Sequence, residues 1–255
     1  MTSIELLEVL WRGFVAAAPQ AQCIRELLIA RGEILSNDHV ALRTFAVPGI
    51  EIEAIARPFE AVGWLPRERY QLDGRLRARS WQHGDAALPR VLISELALDE
   101  LSPAAQAVIR RLVGQLPARF GERSDLPWAG RPWQVSYADY RLLGAESEYA
   151  AWLAAFGFGA HHFTIDVGAL ATFPDLAALD AFLVEHGFAL DDSGGTIRGS
   201  RAERIEHSAT RPDRIAVAFA DATVRIPSCR YELLRRYPLP SGELFAGFVP
   251  AGGSA

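Results

Sequence analysis

Three segments of this chain carry side chains that could hold a metal ion. His39 opens the run His39-Val40-Ala41-Leu42-Arg43-Thr44-Phe45, the pair His161-His162 opens a second run ending at Val167, and Glu232 sits in Cys229-Arg230-Tyr231-Glu232-Leu233-Leu234. Two neutral imidazoles and one carboxylate on one side of an ion are the donors of many non-haem iron(II) oxygenases, because they leave positions open for substrate and dioxygen. Strand alternation puts His39, Ala41 and Arg43 on one wall and Val40, Leu42 and Thr44 on the other. By the same rule His162, Thr164 and Asp166 share a wall, and His161 faces away from His162; alternation alone does not say which of the two reaches a metal. Read singly, Glu232 is a surface carboxylate paired with Arg235 or Arg236. His83, His186 and His207 read as surface or hydrogen-bonded groups, Cys229 as a small buried hydrophobe, and Ser193-Gly194-Gly195 as a turn rather than a phosphate loop.

The elements that must position these residues occur twice. A strand from His39 to Phe45 is followed by a helix from Ile52 to Val62, ended by Gly63; a strand from His162 to Val167 is followed by a helix from Leu176 to His186, ended by Gly187. Each half then continues with strand signals, to Val91-Leu92-Ile93-Ser94-Glu95-Leu96 in one and to the Glu232 segment in the other. Two units of strand, helix and three strands predict an α+β fold of duplicated βαβββ modules, at about 37–97 and 160–236, forming a half-open sheet around a metal site. Helices from Ile4 to Ala17 and from Ala21 to Ile29 precede the first module. A helical insert spans 98–157, with one helix from Leu98 to Leu116 begun by Ser102-Pro103, an irregular stretch from Trp128 to Tyr140, and a helix from Ala145 to Phe156. Residues 1–250 then read as one catalytic domain and 251–255 as a flexible tail.

The bulk properties fit a small-molecule protein. Half of the 255 residues are apolar and the net charge is -5, without the basic block of a nucleic-acid binder. Two cysteines are too few for a disulfide framework, and no apolar run approaches the ~18 residues of a membrane span. A cytoplasmic protein is expected; the oligomeric state is not legible.

Asn37-Asp38-His39-Val40-Ala41-Leu42-Arg43-Thr44-Phe45, Leu88-Pro89-Arg90-Val91-Leu92-Ile93-Ser94-Glu95-Leu96, His162-Phe163-Thr164, Gly194-Gly195-Thr196-Ile197-Arg198-Gly199-Ser200 and Ile226-Pro227-Ser228-Cys229-Arg230-Tyr231-Glu232 resemble, in order, the 2-oxoadipate dioxygenase/decarboxylase family. The resemblance implies a vicinal-oxygen-chelate-like fold and iron(II), Fe(2+), held by His39, His162 and Glu232. It also implies Arg43 as the substrate-binding arginine, and conversion of 2-oxoadipate and dioxygen to 2-hydroxyglutarate and carbon dioxide in lysine catabolism. Thr164 and Ser208 are expected to contact substrate, and Glu95, the first-module residue matched to Glu232, to support the ligands or to form a structural salt bridge. Arg43 itself has a structural alternative, an ion pair with Glu95 or Asp166. The chain departs from the family in being short, in carrying His207 where a Gln commonly precedes the Ser, and in Leu233-Leu234 after the Glu; these changes bear on substrate choice more than on the metal. A metal-dependent isomerase or lyase on the same scaffold, and a non-catalytic metal or small-acid binding protein, are the rival readings.

Overall fold

The structure is a computed structural model, and it describes residues 1–72 and 74–248; the tail expected at 251–255 lies outside them. The chain opens with α1 (Ser3–Ala17) and α2 (Pro19–Ala30). At the start of α1, Thr2 and Glu5 each accept from the other's backbone N–H, which satisfies donors that lack an intrahelical partner. Leu6, Leu10 and Phe14 form its buried stripe, at the helical period.

The first module runs β1 (Asn37–Phe45), α3 (Ile52–Glu60), β2 (Trp64–Gln71), β3 (Leu76–His83) and β4 (Arg90–Leu96). The insert follows as α4 (Pro103–Val113), α5 (Tyr137–Gly144) and α6 (Glu148–Phe156). The second module runs β5 (Ala160–Asp166), α7 (Leu176–Glu185), β6 (Arg198–Ser200), β7 (Ile205–Ala209), a separate hairpin of β8 (Arg214–Ala218) and β9 (Thr223–Pro227), then β10 (Glu232–Arg236). The insert helices are shorter than the sequence reading. Ser102 caps α4 as expected, accepting from Ala105 N, and Ser147 and Ser136 cap α6 and α5 in the same way, so α5 begins inside the stretch read as irregular.

One sheet holds both modules, in the order β2-β3-β4-β1-β5-β10-β7-β6, and curls into a half-barrel. In each module the first strand runs parallel to the last, β1 with β4 and β5 with β10, and the two first strands pair antiparallel at the centre. This is the duplicated βαβββ arrangement. Helix α1 covers the outer face at the seam, where the rings of Trp11, Phe14, Phe163 and Tyr231 pack at centroid distances of 5.1–6.0 Å. Fully burying Phe14 and Phe163 contributes about 1.5–3 kcal/mol each. Because Phe163 and Tyr231 point outward, their neighbours in the chain, His162, Thr164, Arg230 and Glu232, are left on the concave face. Among the described residues no helix is long and apolar enough to cross a membrane.

Candidate metal centre

Strand β5 lies between β1 and β10, and its register pairs Thr164 with His39 on one side and with Glu232 on the other. These three residues form one row across the sheet on one face, with His162 two residues earlier on that face. Thr164 is small, so the two longer side chains flanking it can converge above it. His39 Nε2 lies 3.3 Å from His162 Nε2 and 3.2 Å from Thr164 Oγ1, and Glu232 Oε1 lies 3.4 Å from His162 Nδ1. One donor atom from each of His39, His162 and Glu232 falls within 4.8 Å of the others. Two donors bound at ~2.1 Å to one ion and at right angles sit roughly 3 Å apart, close to the spacing of the two Nε2 atoms, and Glu232 completes a donor group that could hold one ion.

Two β-bulges aim residues that alternation would send elsewhere. Between Asn37 and His39, β1 advances two residues while β5 advances one, which brings Asp38 to the side of His39. Asp38 is buried; its Oδ1 accepts from His39 Nδ1 at 2.8 Å, Arg236 donates to both its oxygens at 2.6 and 2.9 Å, and Arg90 adds a contact of 3.3 Å. Burial works against its charge, but the bonds from His39 and Arg236 outweigh it and hold the carboxyl far below its ordinary value. With the proton of His39 fixed on Nδ1, Nε2 is the free donor facing His162.

The second bulge, at Ala41 and Leu42, leaves His161 without a partner on β1. Its ring does not face away from His162: the two Nδ1 atoms lie 2.9 Å apart, and Trp152 packs edge-on against His161 at 4.9 Å. Alternation fails at an inserted residue, which is why the sequence reading placed this ring on the wrong side. Burial pushes His162 down to about 3 and holds His161 well below its ordinary value, so both rings are neutral near pH 7, the form a metal binds. A proton on His162 Nδ1, donated to His161, leaves His162 Nε2 free. Burial also opposes the charge of Glu232, yet His162, His39, His207 and Arg230 together keep it below the usual carboxylate value.

The other expected site residues are placed differently. Arg43 is partly buried, but its guanidinium pairs with Glu148 of α6 at 3.2 Å and lies over the rings of Tyr149 and Trp152 at 4.6 and 5.5 Å; its partner is neither Glu95 nor Asp166. Ser208 donates to Asp180 of α7 at 2.7 Å. It pairs across to Leu233, whereas Glu232 pairs to Ala209, so Ser208 lies on the opposite face from Glu232 and does not line the site. His207, its neighbour, is on the Glu232 face instead. Glu95 pairs across to Thr44, an odd five positions past His39, and so points away from the donors: it accepts from Ile52 N at the start of α3 and pairs with Arg77 at 3.0 Å. Asp38, Arg236 and His207 were missed by the sequence reading. The adjacency Asp38-His39 was a visible signal, but the bulge that makes it useful was not.

The sequence profile of the 2-oxoadipate dioxygenase/decarboxylase family matches residues 7–123. A rice (Oryza sativa subsp. japonica) protein named 2-oxoadipate dioxygenase/decarboxylase, chloroplastic/amyloplastic, is 31% identical over 247 residues, covering 89% of this chain and 67% of the relative. The crystal structure of a rice hydroxyglutarate synthase in complex with 2-oxoadipate superposes with a TM-score of 0.87 at 30% identity, covering 93% of this chain and 81% of that one. A Shewanella frigidimarina protein, provisionally termed a hydrolase, superposes with a TM-score of 0.92 at 38% identity, and each chain is covered to 97%.

Proposed function

Since this chain belongs to the 2-oxoadipate dioxygenase/decarboxylase family, we propose that it oxidatively decarboxylates a 2-oxo acid, 2-oxoadipate to 2-hydroxyglutarate and carbon dioxide, using dioxygen and iron(II). The observation that supports this most is the convergence of His39, His162 and Glu232, two neutral imidazoles and one carboxylate with donor atoms within 4.8 Å. Iron(II) bound there would supply an open-sided Lewis acid and electron donor to which a 2-oxo acid and dioxygen have access.

The chain's own residues set the conditions for that chemistry. Asp38 keeps the His39 proton on Nδ1, and the buried Arg236 keeps Asp38 ionised and in place. His161 serves His162 in the corresponding way, with a neutral ring in place of a carboxylate. Thr164 stands between the two ligand strands, its hydroxyl beside His39 Nε2, where it can hydrogen-bond an oxygen of bound substrate. Arg43 is held by Glu148, which is 65% exposed, so in this reading it takes a substrate carboxylate by exchange for Glu148. Cys23 and Cys229 are free thiols, in keeping with a reducing compartment; a cytoplasmic location is part of the proposal.

The test is to incubate anaerobically purified, iron-reconstituted protein with 2-oxoadipate and record oxygen uptake, carbon dioxide and 2-hydroxyglutarate together. Equimolar uptake and release with 2-hydroxyglutarate formed is the expected result. Substrate conversion without oxygen uptake would assign the chain to the isomerase or lyase reading; bound iron with no substrate loss would leave a binding protein.

A further inference from the structure

The outer face of the sheet carries a groove of about 840 Å³, within the size range of small-molecule sites. Its walls come from α1, α2, the segment leading into β1 and the loop leading into β4, and Leu7, Leu35, Leu88 and Phe163 give it an apolar lining. Phe163 alternates with His162 and Thr164 along β5, so the groove lies on the side of the sheet away from the metal donors. At its rim Ile4 is 61% exposed and Ile34 87%. Uncovered apolar surface therefore continues outward from the groove, the mark of a binding surface rather than of a finished exterior.

Its polar groups are unmatched in one direction. The charged side chains at the groove are Glu8, Arg12 and Arg25, two cations to one carboxylate. Arg12 is exposed, whereas Arg25 is half-buried with its guanidinium 5.4 Å from the centre of the Trp11 ring. Arg43, Arg90 and Arg236 each have a carboxylate partner; among the described residues Arg25 has none, and the face of an aromatic ring compensates a desolvated cation only in part. The Tyr231 ring packs on the same Trp11 at 5.8 Å and is fully buried. Its hydroxyl has no hydrogen-bond partner among the described residues, a cost that native interiors rarely carry. Burial pushes that phenol up, and Arg25 is the first-named group that opposes it. A cation without an anion and a donor without an acceptor thus meet beside one apolar groove, and an anionic group with oxygen acceptors complements both.

We infer that this groove binds a small amphipathic monocarboxylate, its apolar body on Phe163 and the leucines and its charged end on Arg25, with the Tyr231 hydroxyl donating to the same carboxylate. An arginine can meet a carboxylate with two parallel hydrogen bonds while its plane stays stacked on the indole. Glu8 works against a second negative charge, so the ligand class differs from the acid proposed for the metal face. The site stands whether or not the proposed reaction does.

The test is calorimetric titration of iron-loaded protein, without oxygen and with 2-oxoadipate in excess to keep the metal face taken, using octanoate, octan-1-ol and octylammonium as probes of one chain length. Octanoate is expected to bind about tenfold tighter than the alcohol, the worth of a charge-assisted hydrogen bond, and octylammonium weakest. Arg25→Gln should erase that margin and leave the alcohol within about twofold. Tyr231→Phe should weaken octanoate by about threefold to tenfold and raise the Tm of the empty protein, because the orphaned hydroxyl is gone. No octanoate binding at millimolar concentration, equal binding of the three probes, or a margin kept in Arg25→Gln would overturn the site. So would unchanged octanoate affinity in Tyr231→Phe, or octanoate binding that 2-oxoadipate displaces, which would place the probe at the metal face instead.

Discussion

In the second module the carboxylate Glu232 pairs across to Thr164, two positions past His162; in the first, Glu95 pairs across to Thr44, five positions past His39. An even offset on a strand returns a side chain to the histidine's face and an odd one sends it to the other. The two glutamates occupy matching strands and do unrelated work. By the same counting, the first-module position that answers to Glu232 is Leu92, which pairs with Ala41. One module thus supplies a histidine with its carboxylate partner Asp38, the other a histidine with a carboxylate donor of its own. A fold built by duplication can keep its topology and still make the halves complementary, because a change of register or one bulge redirects a side chain without moving a strand.

Removing the first module's support should have the largest effect. Asp38→Asn takes the charge from between His39 and Arg236 and leaves a buried guanidinium without its anion. Metal affinity is expected to fall about 10- to 100-fold, the usual cost of losing a partner behind a ligand, with a marked loss of stability. Metal titration and chemical denaturation measure the two. Unchanged affinity would show that the His39 ring does not depend on Asp38.

Glu95→Ala should separate fold from site. It deletes the acceptor of Ile52 N and the partner of Arg77, so unfolding free energy should drop by about 1–2 kcal/mol, as for a lost helix cap, with full metal content. Loss of metal would mean that the two modules' glutamates are alike after all.

An effect that leaves the site untouched and depends on pH is expected on the outer face of the second module. Burial pushes the Asp180 carboxyl up to about 6, only partly opposed by its bond from Ser208, and its Oδ2 has no hydrogen-bond partner among the described residues. The folded protein therefore keeps a proton that the unfolded chain releases near 3.8, and stability is lost as pH rises from ~4 to ~6. Asp180→Asn should raise Tm relative to wild type above pH 6 and give no such gain below pH 4. A gain independent of pH would point to packing instead.

The repeat was legible because the histidine-to-glycine spacings and the closing glutamate segments recur in one order, and the duplicated sheet follows from them. His39, His162 and Glu232 could be named from the same pattern with the family resemblance. What the sequence concealed was register. Strict alternation would turn Asp38 away from His39, and it put His161 opposite His162; two inserted residues reverse both. Ser208 was expected at the site and His207 read as a surface or hydrogen-bonded group; the register of β7 places them on the reverse faces, His207 with Glu232 and Ser208 away from it. The pairing of Arg43 with Glu148 joins residues from β1 and α6, and nothing local in either segment announces it.

The account turns on three side chains, and on one glutamate rather than the other, meeting at a single ion. The direct measurement is iron content per chain after anaerobic reconstitution and removal of excess metal, for wild type, His39→Ala, His162→Ala, Glu232→Ala and Glu95→Ala. About one iron in wild type and in Glu95→Ala, with most of it lost in each of the other three, is the predicted result. Full retention in Glu232→Ala, or its loss in Glu95→Ala, would contradict it.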